Sequence, residues 1–453
     1  MNLQASSVVE KSLFAGLFSS CLGSYFGNVF ISVAHGLFVI AIVLQLVISY
    51  KCRRLGEGNE EWGGGGAIWR WPRWSTVFLI LVALAIVISI LVNLHEIKGP
   101  FSILKKLRYH LIWACLLLMP DLMTLISRKI KDWVPWLLLA WLISLSFATL
   151  SGMVGVLTGY NPLLLAPASY PTRVSGVYAM VMTYAYSVQF SVLLLVSLFV
   201  AGRDVWSWLF QGYRWLNLVA VASLILAVLG LYFSYTRGAL AGAIGGGLCL
   251  VAIYRRRSLL IGLASLTILA AAFAMVEKSR YVSLDALKAD SVRVNQWKVA
   301  WLTFLKHPCF GLGYRQLEQK CVALKIKYGI PKDHKKEVNG KMVPVYFSGH
   351  AHNDYLEAFG ATGAFGGFAF LGFLFFWCRE VIRDRLARII FLPVLVAYLI
   401  SSWVQDMFTD SEVLNFLLLL YFVSQLVIDR ERFGAGRSET RQAGRVPEML
   451  PAG

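Results

Sequence analysis

Apolar runs of about 20 residues recur along this chain, and each is long enough to cross a hydrocarbon core as a helix. They fall at 12–27, 28–49, 76–94, 108–127, 134–152, 174–202, 213–234, 238–254, 258–276, 353–377, 389–405 and 413–428, the first being the weakest. Hydrophobic residues make up 58% of the chain and charged ones 15%, where a soluble domain carries about a quarter charged. The expected fold is all-α and polytopic, with about 12 transmembrane helices. Met1–Lys11 has neither a basic n-region nor a small-residue cleavage site, so no removable signal peptide is expected.

The net charge of +18 follows from the rule that Lys and Arg collect in cytoplasmic loops. With these spans, Lys51-Cys52-Arg53-Arg54, Arg128 to Lys131, Arg203 with Arg214, Arg255 to Arg257 and Arg379 to Arg388 fall on one side, together with the tail from Asp429. That side is assigned to the cytoplasm. One segment breaks the rule. Lys98, Lys105, Lys106 and Arg108 fall opposite, facing either lipid headgroups or a substrate phosphate. The basic residues are scattered between spans and form no module of their own, which argues against nucleic acid as a partner. Gly63–Gly66 reads as a linker, and Trp69, Trp71 and Trp74 as an interfacial aromatic belt.

The chain divides into a first set of transmembrane helices at 1–276, a large loop at 277–349, a second set at 350–428 and a cytoplasmic tail at 429–453 expected to be disordered. The loop Glu277–Gly349 is too long for a mere connection. It carries one amphipathic helix, with Asp290 as N-cap, running through Arg293, Trp297 and Trp301 to Lys306 and stopped by His307-Pro308. Cys309 and Cys321 are the two cysteines of seven in this loop. On the non-cytoplasmic side they are expected to form a disulfide.

Four polar features collect at the non-cytoplasmic ends of the helices: His350-Ala351-His352-Asn353-Asp354, the turn Ser234-Tyr235-Thr236-Arg237-Gly238, Arg173 and Arg293. One arginine at a membrane edge can snorkel to water. Three, with a histidine, from separated parts of the chain suit an anionic ligand, because the planar guanidinium fork matches phosphate oxygens and keeps its charge. A histidine accepts a proton near neutral pH. Gly360, Gly363 and Gly367 lie three and four apart, and Gly363-xxx-Gly367 is a helix-packing pattern. Glu357 either snorkels or pairs with an arginine.

His352-Asn353, nine residues, then Gly363-Ala364-Phe365-Gly366 resembles the signature of the O-antigen ligases, within the wider O-antigen ligase/polymerase family. Arg293 with Trp297, followed by His307-Pro308-Cys309-Phe310-Gly311-Leu312-Gly313, resembles that family's periplasmic loop. Thr236-Arg237-Gly238 resembles its arginine-bearing turn. The resemblance runs over most of Arg173–Gly372; the first 150 residues match in hydropathy alone. It implies a GT-C-like membrane glycosyltransferase of the bacterial inner membrane with its active site facing the periplasm. Such an enzyme moves a glycan from an undecaprenyl-pyrophosphate carrier to the lipid A–core oligosaccharide, inverting the anomeric centre, with no metal and no cofactor. The catalytic residues it implies are His352 as general base with Arg237 and Arg293 on the pyrophosphate. Arg173, Asn353, His350 and Tyr235 are the implied substrate-binding residues, and His350 is the alternative base. The same resemblance fits a polymerase or a protein O-oligosaccharyltransferase. A transporter or flippase of polyprenyl-linked glycans is the rival of another class, with Asp121 as its best intramembrane carboxylate.

Overall fold

The computed structural model describes residues 2–55, 73–97, 106–202, 213–254, 284–338 and 341–443. The expected span 258–276, the glycine linker, Trp69, Trp71, Lys98, Lys105, Arg203 and Arg255 to Arg257 lie outside them. The molecule is an all-α polytopic membrane protein. Among the described residues eight helices are long and apolar enough to cross a membrane, or nine if one bent pair is a single span.

Helices α1 (Asn2–Phe26) and α2 (Asn28–Leu55) form a hairpin, and α1 also packs on the long α5 (Pro120–Thr158). Helix α1 is too polar to count as a span. Two of its serines bond to backbone, Ser19 Oγ donating to Phe30 O at 2.8 Å and Ser24 Oγ to Ser20 O at 3.1 Å. Helix α3 (Trp74–Val92) is followed by α4 (Leu107–Leu118), and the chain then bends by 82° into α5. Pro120 sits at the start of α5, where its missing N–H costs nothing. Helix α5 runs straight through the basic residues Arg128 to Lys131, so the loop expected there does not exist. Lys129 instead pairs with Glu10 at 3.1 Å on the surface. Gly159, in the left-handed region, ends α5, and the two-residue strands β1 (Tyr160–Asn161) and β2 (Ala166–Pro167) pair antiparallel beyond it.

Helix α6 (Val181–Ala201) starts seven residues later than the apolar run at 174; Val174 instead donates its N–H to Phe233 O at 3.0 Å. Helices α7 (Arg214–Phe233) and α8 (Arg237–Tyr254) are separated by a turn of three residues. The loop helix α9 spans Leu284–Lys306, so it starts before Asp290. It is followed by α10 (Gln316–Lys327) and an antiparallel hairpin of β3 (His334–Val338) with β4 (Lys341–Val345). The membrane bundle closes with α11 (Asp354–Arg383), α12 (Arg385–Ser401) and α13 (Ser411–Ala443). Helix α12, at 17 residues, is shorter than a full span. Helix α13 continues past Asp429 to Ala443, so the first part of the expected disordered tail is helical.

The large loop has a small core, shared with the start of α11, of Val299, Ala300, Leu312, Leu317, Leu324, Ile330, Ala351 and Ala361. Beside it lies a fully buried ion pair, Lys325 Nζ to Asp333 Oδ2 at 2.7 Å. Both partners make further hydrogen bonds. Lys325 also donates to Phe347 O at 2.9 Å, and Asp333 accepts from Phe347 N at 2.6 Å and Asn295 Nδ2 at 2.9 Å. Cys321 is buried with its thiol toward Phe347 O, and Cys309 is exposed on the turn after α9. The two are free thiols, which corrects the expected disulfide.

The glycine pattern in α11 also needs correction. Gly363 is not on a continuous helix face; it has φ 68° and breaks the helix. A side chain on Gly363 would collide with the Cys309 carbonyl, and one on Gly311, also at φ 68°, with the Ala361 carbonyl. The two backbones therefore run in contact. Leu312 N donates to Gly360 O at 3.1 Å, Gly313 N to Ala361 O at 3.0 Å and Ala364 N to Pro308 O at 2.7 Å. The glycines serve close packing, and Gly363 packs against the loop rather than a membrane helix.

Candidate functional site

The segment Gly349–Asn353 connects the loop to α11 and is bent sharply, with His352 at φ 48°. Asn353 is the N-cap of α11. Its Oδ1 accepts from Leu356 N at 2.9 Å and its Nδ2 donates to Trp403 O at 3.0 Å. Both polar atoms of Asn353 are thus engaged by backbone, and the side chain is buried. Asp354 holds the connection between α12 and α13. Its Oδ1 accepts from Met407 N and Phe408 N, each at 2.8 Å, and its Oδ2 accepts from Tyr398 Oη at 2.8 Å. Glu357 neither snorkels nor meets an arginine in these contacts; its Oε2 accepts from Ala351 N at 2.8 Å. The caps and carboxylates at the top of α11 therefore lock the histidine segment to residues 402–408.

That lock presents two side chains to the histidines. Gln405 Oε1 lies 3.0 Å from His352 Nδ1, and Asp406 Oδ2 lies 3.7 Å from His350 Nδ1. His352 N donates to His350 Nδ1 at 3.1 Å, and the two rings are 4.1 Å apart between centroids. Burial holds the His352 imidazole down at about 4, from an ordinary 6.5, with the His350 ring adding to the effect. The Gln405 hydrogen bond opposes this, Arg293 reinforces it and Asp406 opposes it. His352 is therefore neutral at physiological pH.

The arginines come from three directions. Arg173 clamps the turn between α7 and α8, donating from Nε to Ser234 O at 2.8 Å and from Nη2 to Thr236 Oγ1 at 3.1 Å. Tyr235 occupies that turn at φ 49°, with its ring 6.2 Å from that of Tyr232. Arg237 is exposed and is the first residue of α8. The turn itself packs on the 401–408 region. Ser401 Oγ donates to Gly238 O at 3.2 Å, and a Cβ on Gly238 would lie 2.6 Å from Val404 Cγ2. So Val404 abuts the arginine turn while its neighbour Gln405 reaches His352. Arg293, half-buried on α9, acts electrostatically on both His352 and the Tyr186 ring of α6. Arg173 acts on Tyr186 as well, and the Tyr186 hydroxyl lies against Gly238. Arg293 and Arg173 thus both act on Tyr186, Arg293 also acts on His352, and Arg237 starts the helix whose Gly238 packs on Tyr186 and Val404.

Three contributors carry no signal in the sequence: Tyr186, Gln405 and Asp406. Each sits in an unremarkable stretch; Tyr186 arrives on α6, and the packing of α12 and α13 against α11 brings Gln405 and Asp406 here. Beneath the histidines a small cavity is lined by Asp354, Glu357, Asp406 and Tyr314, among others. The Tyr314 hydroxyl is buried and unpaired there. Among the described residues no three His, Cys, Asp or Glu side chains converge as a metal-binding group. Asp121, the carboxylate a transport pathway would use, accepts from Gln45 Nε2 at 3.1 Å and Ser49 Oγ at 3.2 Å inside the bundle. Lys106 and Arg108 of the anomalous basic segment also turn to the protein, reaching Thr409 O at 3.3 Å and Ser32 Oγ at 3.1 Å.

A comparison with curated proteins gives no match. The family model described as O-antigen ligase matches residues 222–371. The matched stretch contains Tyr235, Arg237, Arg293, His350, His352 and Asn353; Arg173, Tyr186, Gln405 and Asp406 lie outside it. It also contains both backbones of the Gly311–Gly363 contact. Residues 222–371 are thus similar to the O-antigen ligase family, and the chain is a multi-pass membrane protein.

Proposed function

We propose that this protein is an O-antigen ligase. It transfers a glycan from undecaprenyl pyrophosphate to the lipid A–core oligosaccharide at the periplasmic face of the bacterial inner membrane. The observation that carries the proposal is a buried, neutral imidazole on which the Arg293 guanidinium acts, near the turn that Arg173 clamps and that leads into Arg237. A polyprenyl tail stays in lipid while its pyrophosphate reaches the headgroup level, so a site at the helix ends suits this donor.

In the proposed reaction the acceptor hydroxyl oxygen attacks the anomeric carbon from the face opposite the pyrophosphate. The bond from that carbon to the phosphate oxygen breaks, and the anomeric centre inverts. His352 takes the hydroxyl proton, and undecaprenyl pyrophosphate leaves as the anion. Arg237 and Arg293 stabilise the charge that grows on the leaving oxygen, where fixed donors in a low-dielectric cleft act most strongly. Arg173 holds the turn that presents Arg237. The guanidiniums carry the charge that a divalent cation supplies in other transferases, so no metal is assigned.

The test incubates purified protein with lipid-linked donor and lipid A–core together, in EDTA. Glycan on the core is the expected product. Lengthened carrier-linked glycan would make the protein a polymerase. Bound donor with no covalent product under any metal condition would favour the transport reading.

A further inference from the structure

The two histidines differ in what their Nδ1 atoms meet. A glutamine side-chain oxygen only accepts. With Gln405 Oε1 facing His352 Nδ1 at 3.0 Å, the oxygen accepts from Nδ1–H, and in that arrangement the lone pair is on Nε2. His350 differs. Its Nδ1 accepts the His352 backbone N–H at 3.1 Å and has Asp406 Oδ2 at 3.7 Å, so that nitrogen is turned to the protein and not to a substrate.

The direction of His352 Nε2 matches this. A Cβ on Gly349 would lie 3.9 Å from that nitrogen and 2.6 Å from Gln296 Nε2 on α9. Gln296 follows Arg293 by three residues and so shares its helix face. The lone pair points toward the side of the site that α9 covers. Gln405 is itself held from both sides. Asn353 Nδ2 grips Trp403 O two residues before it, and Asp354 Oδ1 takes Met407 N and Phe408 N just after it. Gln405 is buried in this grip.

We infer that Gln405 is a positioning residue for glycan transfer. Its oxygen fixes His352 as the Nδ1–H tautomer and aims Nε2 at the acceptor hydroxyl, while the Nδ1 of His350 is turned to the protein. The inference rests on the reading of His352 as general base. The groups acting on His352 are His350 in its own segment, Arg293 from α9 and Asp406 from the 402–408 connection, with Glu357 behind Ala351.

The experiment uses the full-length protein in detergent with lipid-linked donor and lipid A–core, comparing the parent, Gln405→Leu, Gln405→Glu and His352→Ala. Gln405→Leu lets the ring rotate and exchange tautomers. Its kcat should fall at least about tenfold, with donor KM and donor binding within about twofold of the parent. Gln405→Glu keeps the acceptor and adds a negative charge beside the imidazole, so it should retain more turnover than the leucine variant. It should also move the acid limb of kcat/KM upward by about one pH unit or more, a shift that a purely structural role would not cause. If Gln405→Leu fails to fold, the near-isosteric Gln405→Glu pH profile decides alone. An unmoved acid limb, or a Gln405→Leu enzyme with parental kcat, overturns the inference. The reading beneath it fails separately, through an active His352→Ala; a dead His352→Ala beside parent-like Gln405 variants sinks only the positioning role.

Discussion

His352 is held in a left-handed backbone conformation that non-glycine residues seldom adopt. The fixation of its neighbours, Asn353 as cap and Ala351 by Glu357, keeps it there. His352→Ala is expected to lose about 10²–10⁴-fold in turnover yet still bind donor, while His350→Ala should be milder. Arg237→Ala and Arg293→Ala should lose donor binding and turnover together, and lysine at either place should rescue only part, lacking the bidentate fork. Radiolabelled donor binding and product formation, measured on the same preparations, separate these effects. Near-normal ligation by His352→Ala with a dead His350→Ala would move the base by two residues. Acid pH adds a second signature. The imidazole's folded value lies below its unfolded value, so its stabilising contribution is present above about pH 6.5 and is lost as pH falls toward about 4. At this scale the sequence singles out the histidine pair and the arginines, because their types and spacing carry a motif. It does not single out Gln405 and Asp406, because an ordinary Gln-Asp pair gains meaning only from what folds against it.

At the scale of elements, the apolar runs located most helices, but the ends were set by tertiary contacts that hydropathy does not contain. The basic Arg128–Lys131 stretch read as a loop, yet long cationic side chains reach water from a continuing helix. The glycines of α11 read as one packing face. Spacings of three and four look the same whether the helix continues or, as at Gly363, breaks to admit another backbone. Inside the loop the Lys325–Asp333 pair links α10 to the start of the hairpin, with both side chains fully buried. Removing one partner strands the other charge, so Lys325→Met should destabilise the loop by about 3–5 kcal/mol. Limited proteolysis of the loop would show it as faster cleavage, and pairing it with Asp333→Asn should recover part of the loss. Cleavage unchanged by Lys325→Met would mean that the hydrophobic cluster around Leu317 and Leu324 holds the loop without the pair.

For the whole molecule, the proposed function requires the 277–349 loop to face the periplasm, and the basic loops read in the sequence would then leave both termini in the cytoplasm. Reporter fusions after Lys325 and after Arg432 should report periplasm and cytoplasm respectively; a cytoplasmic signal at Lys325 would overturn the site's orientation. The fold class was legible because lipid leaves few options to a chain this apolar. What hydropathy could not reveal is that the last two helices complete a site whose motif ends before them. Gln405 follows His352 by 53 residues, and the connection that carries it is in place only once α12 and α13 flank it. During synthesis the motif-bearing stretch emerges first, with its imidazole unpartnered. On the proposed mechanism, a nascent chain gains the Gln405 partner of His352 only once translation has passed α13, and a ribosome stalled near residue 400 leaves the histidine motif intact with no residue to orient it.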